Sequence, residues 1–88
     1  MSPWRLLWQQ TAQACPVTIG NGIVFEKIIV GSNSITLHVR FSNLTADMIN
    51  EEFINALPEF GAQLKRNTHT PSSVSLNFVI YDKYHNRL

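Results

Sequence analysis

The chain contains one cysteine, Cys15, so no internal disulfide can staple it. No Cys/His spacing matches a zinc site, and the motifs present call for no metal and no cofactor. Charge is sparse: Asp, Glu, Lys and Arg make up 15% of the residues, against roughly 25% in ordinary soluble domains. The net charge of +1 leaves no footprint for nucleic acid or for an anionic membrane. Long apolar runs are missing too. None reaches the 18 or so residues of a membrane span, and the apolar cluster in MSPWRLLWQQ is too short for the core of a signal peptide. Neither a transmembrane segment nor a nucleic-acid partner is therefore expected.

What remains is a globular composition. Of 88 residues 44% are apolar, enough for a single domain over 1–88 with a polar tail from about 82. A chain of this length buries roughly 60–65% of its unfolded surface, which allows one modest core. With few charges, Asn, Gln, Ser and Thr must supply much of the polar surface, a composition common in secreted or envelope proteins.

Ser2-Pro3 reads as a helix cap followed by proline in the first turn. Trp4, Leu7, Trp8, Thr11 and Cys15 recur at helical spacing, and Pro16 ends the helix at Ala14 or Cys15. Gly20-Asn21-Gly22 turns the chain into a β-branched strand, 23–30, with Val24, Ile28 and Val30 on one side and Phe25 and Ile29 on the other. After a turn at Gly31–Ser34 comes a clean alternation. Ile35, Leu37, Val39 and Phe41 point inward, and Thr36, His38 and Arg40 point outward.

Thr45 is placed to cap a second helix, with Asp47 in its first turn and an apolar stripe at Ile49, Phe53, Ala56, Leu57 and Phe60. Gly61 suits the position after that helix, and Pro58 implies a kink or a fresh turn within it. Segment 62–68 either extends that helix or forms a strand leading through Pro71 into a last strand at 74–81, and the strand is favoured because Gly61 stops a helix well and Pro71 suits a loop. The expected architecture is α+β, an antiparallel sheet of about four strands with two helices in the order α-β-β-α-β-β.

Candidate chemistry is thin. Cys15 lies near a helix C-terminus, where the dipole disfavours a thiolate, so a small buried residue is expected there rather than a nucleophile. A cysteine enzyme pairing Cys15 with His38, His69 or His85 is the alternative. The three histidines have no metal-site spacing, and Glu51-Glu52 point in different directions on a helix. Gly20-Asn21-Gly22 precedes a strand, whereas a phosphate loop follows one. Trp4 and Trp8, one turn apart beside Leu7, either cover the sheet or form a contact surface.

The run ACPVTIGNGIVFEKIIVGSNSITLHVRFSN resembles a group of small uncharacterised bacterial proteins. These join Cys-Pro and a glycine-containing turn to a hairpin, a helix and a late hairpin after a glycine. The matching pieces here are Cys15-Pro16, Gly20-Asn21-Gly22, the strand pair 23–41 and Gly61. The resemblance implies an exported or envelope-associated protein and transfers no catalytic residue. The expectation is a non-enzymatic domain that binds a protein partner or forms a homo-oligomer, in an extracytoplasmic setting. Its candidate surfaces are Trp4, Leu7 and Trp8 on the first helix and His38 and Arg40 on the second strand.

Overall fold

The computed structural model describes residues 3–20 and 22–88; the Ser2 cap and the middle residue of the Gly20–Gly22 turn lie outside them. Helix α1 spans Pro3–Ala14. It is followed by a two-residue strand β1 (Val17–Thr18) and the long strands β2 (Ile23–Val30) and β3 (Ser34–Phe41). A 3₁₀ turn (Ala46–Met48) leads into helices α2 (Glu51–Asn55) and α3 (Leu57–Thr68), and β4 (Ser75–Tyr81) closes the sheet.

The α+β class and the four-stranded sheet agree with the sequence; the fully antiparallel topology does not. The spatial order is β1-β2-β3-β4, with β1–β2 and β2–β3 antiparallel and β3–β4 parallel. The cause is segment 62–68, expected as a strand and found as the body of α3. With that segment helical, only one strand follows, and it returns beside β3 through a helical crossover, which gives a parallel pair. The place of the missing strand is taken by β1, formed directly after Cys15-Pro16, a cis peptide.

Two local features explain the helix. Asn50, not Thr45, caps α2 with its side chain, accepting from the Phe53 amide at 2.9 Å. Pro58 sits in the first turn of α3, where a proline costs no hydrogen bond, so it opens a helix instead of weakening the end of one. Gly61 is therefore inside α3 and faces the sheet. A Cβ there would stand 3.3 Å from Phe78 and 3.4 Å from Leu76. The helix ends at His69, in a left-handed conformation (φ 56°), with Lys65 and Arg66 in its last turn.

Both helical layers pack on one face of the sheet. Ile35, Leu37 and Val39 of the central strand β3 are essentially inaccessible. Trp8 from α1, Phe25 and Ile28 from β2 and Ile80 from β4 join them, and Leu57, Phe60 and Leu64 of α3 pack on the outside of that cluster. In β2 the expected two-sided alternation is altered by a bulge between Phe25 and Lys27. Phe25 pairs with Val39 and Ile28 with Leu37, so both reach the core, whereas Ile29 is exposed and Val24 is buried outside the main cluster. One extra residue reverses the parity of the strand and puts Phe25 and Ile28 on the same side.

The polar tail folds back on the sheet edge. Asp82 is buried and accepts from the amides of Tyr84 (2.8 Å) and Asn86 (2.9 Å). Arg87 then bridges antiparallel to Tyr81, and the Leu88 amide donates to the Ile80 carbonyl at 2.9 Å.

Candidate functional site

The sheet face opposite the helices gathers the polar chemistry. On β3 it presents Thr36, His38 and Arg40, as the alternation requires. The bulge in β2 brings the consecutive residues Glu26 and Lys27 to this same face, with Lys27 directly opposite His38. Parallel pairing sets Val79 beside His38 and Tyr81 beside Arg40. The turn that follows β4 brings His85 back over the sheet. A concavity of about 280 Å³ results, lined by Glu26, Lys27, His38, Tyr81 and His85.

Two pairs organise it. Arg40 donates from Nε to Glu26 Oε1, and His85 Nε2 lies 3.2 Å from the same oxygen. The hydrogen bond from Arg40 is the main cause holding the Glu26 carboxyl below its ordinary range, working against partial burial. The second pair is His38 and Tyr81, with Nδ1 3.0 Å from the phenolic oxygen and the rings stacked at 5.9 Å. Burial, then the charges of Lys27 and Arg87, push the His38 imidazole below its ordinary value. Among the described residues Lys27 and Arg87 have no ion-pair partner, whereas the Glu26 carboxylate is paired with Arg40 and lies within hydrogen-bond reach of His85.

The first-helix candidates do not form one surface. Trp8 is 3% exposed, and its indole donates to Thr70 Oγ1 at 2.9 Å, so it belongs to the core. Trp4 is half-buried against that core, with the Arg5 guanidinium 4.7 Å from the ring centre. Arg5 itself donates to the carbonyls of Gly31 (2.6 Å) and Ser32 (2.7 Å), tying α1 to the β2–β3 turn. Only Leu7 of the three is exposed, next to Leu6.

Cys15 is half-buried, and its thiol donates to the Thr11 carbonyl at 3.4 Å. Burial, then the Glu26 charge, pushes the thiol up, away from the reactive form. No imidazole hydrogen-bonds to it among the described residues. His38 and His85 meet on the open face, while His69 caps α3. No three metal-ligating side chains converge among the described residues.

Glu26, Lys27, Tyr81 and His85 were absent from the sequence-level site. Lys27 follows from counting back along the hairpin from its turn, since the pairs from Val30↔Ile35 to Lys27↔His38 keep one register. Tyr81 and His85 depend on the parallel placement of β4 and had no local signal.

No family model, curated protein or solved structure matches this chain. Among the described residues no helix is long and apolar enough to cross a membrane.

Proposed function

We propose that this chain is a non-enzymatic binding domain that meets its partner with the sheet face opposite the helices. The observation carrying this reading is the asymmetry of the sheet. One face is covered by α1 and α3, and the other presents a concavity edged by charged and aromatic side chains. Cations outnumber anions there, with Lys27, Arg40 and Arg87 against Glu26, in a chain of net charge only +1. That imbalance favours a partner bearing a negative group. The non-enzymatic half is supported by Cys15, which has a raised pKa and a bond to its own helix in place of a base. An extracytoplasmic setting accompanies this reading, supported by the resemblance of the Ala14–Asn43 run to small bacterial proteins that are often exported or envelope-associated, and by the low charge content.

The test compares surfaces. The immobilised chain, its Lys27→Glu variant and its Leu7→Ser variant are exposed to extract of the source cell. Retention by wild type and by Leu7→Ser, with loss in Lys27→Glu, is the expected pattern. The opposite pattern moves the working surface to α1, and no specific retention by any of the three counts against a binding role.

A further inference from the structure

Resting on the open face as the working surface, we infer that the concavity over His38 is a binding site for a single oxyanion group, a carboxylate or a phosphate, held between Lys27 and the His38 imidazole, with Arg87 adding positive charge from the adjoining tail. Three independent features converge there. The space, about 280 Å³, admits a small anionic group and opens to solvent. Lys27 stands across from His38 in the β2–β3 register, and Arg87 is fixed beside Tyr81 by the returning tail. Both cations lack an ion-pair partner among the described residues.

The remaining charged groups around His38 are accounted for. Glu26 lines the same concavity, and its carboxylate is engaged by the Arg40 guanidinium, with His85 Nε2 3.2 Å from the same oxygen. Tyr81 supports the imidazole from β4 through the 3.0 Å contact to Nδ1. When the Tyr81 hydroxyl donates to Nδ1, the proton of the neutral ring sits on Nε2, which has no protein partner among the described hydrogen bonds and is free for a ligand oxygen. On protonation Nδ1 becomes a donor and the Tyr81 oxygen turns acceptor, so this contact survives in both states.

Burial, then the charges of Lys27 and Arg87, disfavour the imidazolium. A bound anion reverses the electrostatic part of that effect. Binding must then favour the protonated ring, and by linkage the His38 midpoint rises with ligand, while affinity rises as pH falls.

The experiment follows the imidazole signals of the full chain by NMR across pH in sodium chloride, sodium sulfate and sodium acetate at matched ionic strength. Sulfate stands for a phosphate-like tetrahedral group and acetate for a carboxylate. The expected result is a rise in the His38 midpoint of about half a unit or more in sulfate, acetate or both, relative to chloride. A rise in sulfate alone assigns a phosphate-like ligand, and a rise in acetate alone a carboxylate. The exposed Lys27→Ala variant abolishes the difference. Equal midpoints in all three salts, or a rise that persists in Lys27→Ala, overturn the site. A partner retained by the open face and indifferent to sulfate and acetate leaves the binding-domain reading standing while removing this one.

Discussion

The indole of Trp8 and the hydroxyl of Thr70 are 2.9 Å apart, a buried bond across 62 residues that ties α1 to the loop after α3. Thr70 Oγ1 also lies 2.6 Å from Thr68 Oγ1, so the indole completes a small polar network inside an apolar layer. Trp8→Ala removes both the ring and the donor. Large-to-small core substitutions of this kind cost about 3–5 kcal/mol, a large part of the total for a domain of this size. Denaturant unfolding followed by circular dichroism is expected to show that loss. Leu7→Ser, on an exposed position of the same helix, is expected to stay within about 0.5 kcal/mol of wild type.

Gly61 tests the closeness of α3 to β4. Alanine there gains about 1 kcal/mol of helix propensity. Its Cβ meets the Phe78 ring at 3.3 Å, a side chain that is partly exposed and able to yield by a few tenths of an ångström. Gly61→Ala is therefore expected to be near neutral in thermal unfolding. Gly61→Leu has no such room, and an overpacking cost of about 1–3 kcal/mol should appear as a lower melting temperature.

Stability should depend on pH with two separate origins. The His38 imidazole sits below its ordinary value of 6.5 in the folded chain, so the unfolded chain binds the extra proton first. The associated stability is present above pH 6.5 and declines as pH falls through that value toward the folded one. In chloride buffer, His38→Gln is expected to flatten the decline of the urea midpoint that begins as pH falls below about 6.5. Glu26 and Asp82 act lower. For Glu26 the Arg40 hydrogen bond leads; for Asp82, burial pushes upward but the Asn86 and Tyr84 amides, the Asn86 side chain and His85 together prevail. Both carboxyls are held below their ordinary range, so their contribution is present above about pH 4 and is lost on further acidification. That acid limb should persist in His38→Gln.

Cys15 is expected to react slowly. With its thiol pushed up and bonded to Thr11, alkylation by iodoacetamide at pH 7.5 should be much slower in the native chain than in denaturant. Native labelling as fast as that of the unfolded chain would contradict the geometry and reopen the nucleophile alternative.

Much of the core was legible because it obeys period two. Ile35, Leu37, Val39 and Phe41 alternate inward as their spacing requires, and the Gly31–Ser34 turn fixes the hairpin. Helix α1 was equally plain, ended by Pro16. The rest failed for identifiable reasons. A bulge at Glu26 leaves no local mark yet reverses which β2 residues reach the core. Gly61 carries the signature of a helix end, but it is there because α3 approaches the ring of Phe78 closely. From that one misreading followed the strand at 62–68 and the antiparallel topology. The site inherited the same blindness. His38 and Arg40 were visible as outward residues of β3, whereas their partners Tyr81 and His85 arrive only through the parallel return of β4 and the returning tail.

The most direct test of the open sheet face as the working surface is a residue-resolved footprint. The ¹⁵N-labelled chain is titrated with the purified species retained in the extract experiment, and amide shifts are mapped. Changes concentrated at Lys27, Thr36, His38, Arg40, Asn77 and Val79, with Leu6, Leu7 and Ile54 unmoved, are the predicted result. Changes centred on Leu6 and Leu7, or around Met48 and Ile54, with the sheet face silent, would contradict it.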